Sequence, residues 1–417
     1  MSELNPWAAK AQALDRYRWR LLRERHHLIG SAARFLRDAV LDFGFGLLAW
    51  GRMTRKITST PCDFLLLQAA PKVIAFQRKK MLIEGLIARG YRLRETALAP
   101  RPNQLRQRLL SKPPFKVPLR YLGYAAHAQW LVEQHNPSIL LNDRNGSLYA
   151  PFLRLALNAR HHILVQLAHA TTMERSSRLS MNDYDYYFLF GQGSLDALKS
   201  RPLLFGHSTA VLAGSYMIDQ QFDMPAADPN LNTLLILGVG PDKEKEAGYQ
   251  HTYALLRDWA AAHPQVQVRI KSHPRSAGAF WGAAAARLNN VEVLPKDRSL
   301  AEALANSSLV VNILSNAVIE AALAKRPILY VNAGSDPDFL KQESFFGLCI
   351  NNPEALQHRI EHIQQEYLAA VQSSIAFAEY HLAHGCQGLD KVLEHLEQLF
   401  HHQTCTGTEL PAKGITQ

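Results

Sequence analysis

Residues 309–332, LVVNILSNAVIEAALAKRPILYVN, decide the fold. LVVNILS (309–315) is a short apolar run of the kind that forms a strand buried on both faces. NAVIEAALAK (316–325) changes to helix formers, and Pro327 opens a second extended run, PILYVN (327–332). A strand, one helix and a second strand in so few residues predict parallel neighbours joined by a crossover.

The same alternation extends upstream. TLLILGVG (233–240), VQVRIKSHP (266–274) and VEVLP (291–295) read as strands, with helices over about 243–263 and through SLAEALANSS (299–308). The Asp-, Asn- and Pro-rich MIDQQFDMPAADPNLN (217–232) lacks periodicity and reads as a linker. Before it, CDFLLLQAA (62–70), SILLN (138–142), HHILVQLAHA (161–170), DYYFLFG (185–191) and STAVLAG (208–214) form a second set of strands. PKVIAFQRKKMLIEGLIARG (71–90) is expected to be one helix ending at Gly90, and another helix is expected over about 147–159.

The expected class is therefore α/β, with two Rossmann-like domains facing a central cleft at the carboxyl ends of their strands. Expected boundaries are a basic helical extension over 1–60, an N-terminal domain over 61–220, a C-terminal domain over 221–402 and a disordered tail over 403–417. A chain of 417 residues, 47% hydrophobic and 20% charged, supplies two such cores.

Residues 1–60 carry 11 Lys/Arg against 5 Asp/Glu, much of the net charge of +10. Arg16, Arg18, Arg20, Arg23 and Arg25 interleave with Tyr17, Trp19, Leu21 and Leu22, and the apolar FLRDAVLDFGFGLLAW (35–50) follows. Such a segment suits an anionic membrane surface, or equally a solvated helix face packed on the protein. No uninterrupted apolar leader or ~20-residue spanning run is present. No nucleic-acid-binding motif accompanies the charge, so nucleic acid is not an expected partner. Four scattered cysteines give neither a disulfide framework nor zinc-ligand spacing, as expected in a reducing compartment. There is no GxSxG, Walker loop or GxGxxG, which leaves hydrolase, NTPase and dinucleotide readings without an anchor.

The candidate chemistry lies at strand ends. In VRIKSHPRS (268–276), Lys271, His273 and Arg275 fall on one side if strand geometry persists, a cationic edge suited to phosphate. Ser315 or Asn316 would cap the helix after its strand, where unpaired N–H groups and the dipole favour an anion. Glu320, on the first turns of that helix, could accept from ribose hydroxyls. The turn Gly238–Gly240 would let backbone approach a ligand. In the first half, Asp143 follows one strand directly and His169 ends the next; either could deprotonate an acceptor hydroxyl.

The His-Pro turn, followed about forty residues later by a strand–Ser–helix–Glu–Lys/Arg–Pro–strand unit, resembles the nucleotide-binding domain of GT-B glycosyltransferases. More narrowly, it is similar to bacterial CMP-sugar enzymes (sialyltransferases and Kdo transferases) and looks like the CDP-glycerol glycerophosphotransferases. The resemblance covers roughly residues 60–400. It implies that His273 and Ser315 contact donor phosphate, with Asn316 and Lys271 helping, that Glu320 and Gly240 belong to the donor site, and that an acidic base stands in the first domain. His169-Ala170-Thr171 departs from the glycerophosphotransferases' His-Gly-Thr.

The expectation is a metal-independent, nucleotide-sugar-dependent transferase without a cofactor. It would move a CMP-activated acidic sugar onto a glycan or lipid-linked acceptor for lipopolysaccharide or capsule polysaccharide, on the cytoplasmic side and peripheral to the membrane. Alternatives are a CDP-glycerol-type phosphotransferase, a UDP-sugar GT-B transferase and, in another class, a non-catalytic GT-B-like assembly factor.

Overall fold

The computed structural model describes residues 5–54, 57–168, 170–171, 173, 176–334 and 336–412. The chain forms two compact units, Met1–Met217 with Leu389–Gln417 and Ile218–Gly388.

The first unit opens with two helices, α1 (Pro6–Arg25) and α2 (Leu28–Trp50). Asn5 caps α1 by accepting from the Ala8 N–H at 2.9 Å, and Pro6 starts it, a pairing that favours helix initiation. The basic run of α1 is not one exposed face. Tyr17 is buried, and Arg18 turns inward to pair with Asp42 of α2. Strands β1 (Phe64–Gln68), β2 (Leu93–Ala97), β3 (Ile139–Asn142), β4 (Ile163–Leu167), β5 (Tyr186–Leu189) and β6 (His207–Leu212) follow, all parallel, in the order β6-β5-β4-β3-β1-β2. Every residue of β1 and β3 is buried, as covered parallel strands require.

The expected single helix over 71–90 is broken. It becomes α3 (Pro71–Ile74) and α4 (Lys80–Ala88), with Gln77 left-handed at φ 48° between them. That break turns Lys79, at the start of α4, into the interior.

The second unit contains β7 (Thr233–Leu237), β8 (Gln267–Lys271), β9 (Val291–Val293), β10 (Leu309–Asn312) and β11 (Ile328–Tyr330), parallel and ordered β11-β10-β7-β8-β9. Leu234, Ile236, Val268, Ile270, Val311 and Leu329 fill its core with Trp259 and Trp281. Each fully buried apolar side chain contributes roughly 1.5–3 kcal/mol.

The C-terminal end differs from expectation. The helix Gly388–Phe400 enters the first unit, where Phe400 stacks on Phe64 at 5.8 Å. The tail expected to be disordered contains β12 (Thr408–Pro411), antiparallel to β6. β6 offers an open edge, and four residues of tail satisfy it.

Candidate functional site

In the second unit β7 lies between β8 and β10, so the chain reverses its direction of growth across the sheet at β7/β10. Ligands of such sheets bind outside the carboxyl ends at that point. Gly238 leaves β7 there and donates to the Lys271 carbonyl at 2.9 Å. A Cβ at 238 would fall 2.9 Å from the His273 nitrogen and 3.0 Å from Ser272 Cα. The glycine therefore lets the β7 loop lie against the His-Pro turn. Gly240 has an ordinary φ of −65°, and a Cβ there would meet only Arg275 Nη2 at 3.6 Å, so no close approach demands glycine.

His273 is half-buried beyond the end of β8. Its Nδ1 accepts from the Arg275 N–H at 3.2 Å, so the neutral ring carries its proton on Nε2 as a donor. Lys271 behaves differently from expectation. The strand ends at this residue, so alternation does not carry through to Arg275. Its ammonium donates to the carbonyls of Arg298 and, at 3.4 Å, Lys296, and desolvation lowers its pKa. Lys271 braces the loop after β9.

The expected Ser/Asn cap is also corrected. The strand stops at Asn312, and the next helix, Val318–Leu323, has Ala317 at its N-cap with no side-chain cap bond. Ser315 and Asn316 occupy the intervening turn, where their carbonyls accept from Val318 and Ile319. Buried Asn312 holds this turn from below, accepting from the Ser315 N–H at 3.0 Å and donating to Gln342 Oε1 at 2.7 Å. Glu320 is half-buried, and burial pushes its carboxyl up to about 7. Cavities of about 250 and 460 Å³ on this unit are lined by other segments, around Phe345 and around Cys386.

The first unit has its own reversal point, where β1 lies between β2 and β3. Asp143 follows β3 there, 7% exposed, its Oδ2 2.7 Å from Nζ of Lys79, itself 3% exposed. Lys79 also donates to Gln68 Oε1 at 2.9 Å. Among the described residues, Asp143 Oδ1 has no hydrogen-bond partner. Asn142 donates to Gln166, whose amide donates to Asn145 Oδ1 at 3.0 Å, so a polar network runs under the carboxyl ends of β3 and β4. A cavity of about 480 Å³ opens beside it, lined by Ala70, Arg101, Tyr124, Arg144, Tyr149 and Arg178 among others. Arg144 and Arg178 are exposed there, and Arg101 is held by Asp42 at 2.7 Å.

Lys79, Gln68, Gln166, Arg101 and Arg178 were not expected from the sequence. Gln68 and Gln166 stand in apolar strands, where a lone amide is a usable signal. Lys79 sits in the run QRKK, which reads as a solvated face. His169, with Glu174 and Arg175 after it, lies outside the described residues. Among the described residues no group of three or more His, Cys, Asp or Glu gathers as a metal site would.

Two Rossmann-type parallel sheets in one chain, each with a reversal point and a polar carboxyl edge, define a GT-B fold. Solved structures agree. A protein assigned as a UDP-N-acetylglucosamine 2-epimerase from Listeria monocytogenes matches at 12% identity and TM-score 0.53, over 82% of this chain and 98% of its own. Another UDP-N-acetylglucosamine 2-epimerase matches at 13% and 0.50, over 84% and 100%. The S. aureus MnaA–UDP structure matches at 10% and 0.50, over 83% and 99%. No protein-family model and no curated relative matches the sequence.

Proposed function

We propose that the chain is a nucleotide-sugar-dependent glycosyltransferase that works without a metal. The observation that supports this most is the meeting of the Gly238 loop and the His-Pro turn beside the β7/β10 reversal point, which gives an anionic nucleotide a backbone-lined seat and an imidazole donor. His273 binds the leaving phosphate, aided by the Ser315–Asn316 turn, and Glu320 takes the ribose hydroxyls. Lys271 acts through the loop it braces.

In the first unit Asp143 is the base of first choice. In an inverting transfer, the acceptor oxygen attacks the anomeric carbon and its proton passes to Asp143. The bond from that carbon to the phosphate oxygen breaks, and the nucleotide leaves with the electron pair. His169 is the second candidate. The arginine-lined cavity beside Asp143 suits an acceptor carrying phosphate or carboxylate, as a lipid-linked or acidic surface glycan does.

The donor is proposed to be a CMP-activated acidic sugar, on the His-Pro and serine motifs. A UDP-sugar is the second reading, because a structure of the same fold holds UDP. The test is a melting-temperature panel on the whole chain with CMP, CDP, UDP and their sugar or glycerol derivatives. A ligand at 100 times its Kd adds about 2.7 kcal/mol, which is about 5–8 °C for a unit of this size. Stabilisation by CMP species and its loss in His273→Ala are expected. A response to UDP alone rejects the CMP donor, and no response to any nucleotide favours the non-catalytic assembly factor.

A further inference from the structure

The helix α2 has two unlike faces. Its inner face is clamped to the helix Leu119–His135: Gly46 lies so close that a Cβ would come within 1.8 Å of the Leu119 carbonyl oxygen, and the Phe45 ring covers Gly123. Asp42, on the same inner side, is buried among Arg18, Arg101 and Arg120. These contacts fix the rotation of the helix. The outer face presents Ile29 (85% exposed), Leu36, Val40, Phe43, Leu47 and Trp50 (68% exposed). Spaced at seven, four, three, four and three residues, they form one stripe along a helix about 34 Å long.

Charge frames this stripe. Leu41 and Leu48 are also exposed, off this stripe, with exposed Arg37 between them and the stripe and Arg34 on their far side. Arg23, Glu24, Arg25 and His27 stand exposed at the start of the helix, and Arg52 is exposed just beyond its end. Of the two acids on α2, Asp42 is buried and Asp38 is paired with Arg37 and Arg18. No described helix is long and apolar enough to cross a membrane.

We propose that α2 is a membrane-docking helix that lies in the plane of an anionic bilayer. Its apolar stripe enters the acyl boundary and its arginines meet lipid phosphates. Basic charge beside the apolar surface and at both ends favours this occupant over a second copy of the chain, which would bring arginines together in excess of the acids there, exposed Glu24 and the already paired Asp38. The inference stands apart from the transferase reading and moves the lipid contact expected of Arg16–Arg25 onto α2.

The experiment is co-sedimentation of the whole chain with phosphatidylcholine vesicles, with and without phosphatidylglycerol. Wild type is expected to pellet with the anionic vesicles and to release as salt rises. Leu36→Ser/Leu47→Ser, both at exposed positions, should weaken binding at least tenfold with the melting temperature unchanged. Arg34→Gln/Arg37→Gln should weaken it about fivefold per guanidinium. Equal pelleting of wild type and the serine variant overturns the proposal, as does failure of wild type to bind. Dimerisation of the lipid-free chain that the serine pair abolishes, without vesicle binding, assigns the face to a second copy and overturns it equally.

Discussion

Replacing Asp143 tests whether its carboxylate serves the fold, the chemistry or both. In Asp143→Leu the Lys79 ammonium keeps, among the described residues, Gln68 Oε1 as its one side-chain partner, in a site where it is 3% exposed. Breaking a buried pair from one side costs about 3–5 kcal/mol, because the remaining charge is stranded without water. Spread over a unit of about 250 residues, that lowers its melting temperature by roughly 6–10 °C. Lys79→Met should cost a similar amount. The double variant should recover most of the loss, since an apolar pair in the same space carries no stranded charge. Melting curves of the four proteins give the coupling directly. Activity then separates the roles: Asp143→Asn, which still offers Lys79 an acceptor, should lose about 10²–10⁴-fold in transfer rate, read as nucleotide release. If the single losses simply add in the double variant, the pair is not coupled. Full turnover in Asp143→Asn would remove Asp143 as the base.

Three further outcomes are expected. Gly46→Ala drives a Cβ into the Leu119 carbonyl, so α2 should loosen at a cost of about 1–3 kcal/mol, read as a lower melting temperature and faster proteolysis near residue 51. Glu320 ionises near its ordinary 4.5 when unfolded but near 7 when folded, so the folded state holds more protons between those values and stability falls as pH rises through them. Glu320→Gln should flatten that part of the pH–stability curve, and identical curves would refute the raised ionisation of this half-buried carboxyl. Removing the chain from residue 403 onward strips β12 from β6 and should give soluble oligomers or aggregates by light scattering.

The sequence carried the two sheets because buried parallel strands announce themselves as apolar runs: nine strands lie within the expected runs, and β6 overlaps its run but starts one residue earlier, at His207. β2 escaped because LRETA is half-exposed beside β1 at the sheet edge and mixes charge with apolar residues. The break between α3 and α4 escaped because Gln77 takes a left-handed conformation that sequence assigns to Gly or Asn. That one turn hid Lys79, and with it the partner of the expected base. The capping of the helix after β10 was misread because Asn312, inside the strand, takes the Ser315 N–H instead. The charge of the N-terminal segment was visible, but its apolar outer stripe depends on which face Gly46 and Asp42 bury.

The first unit is discontinuous in the chain, and this orders events during synthesis. β6 leaves the ribosome about two hundred residues before β12, and the whole of Ile218–Gly388 is translated between them. The second unit thus has all its strands while the first still shows a bare edge. A nascent chain stalled near residue 400 should engage chaperones through that edge, whereas one released past Pro411 should not.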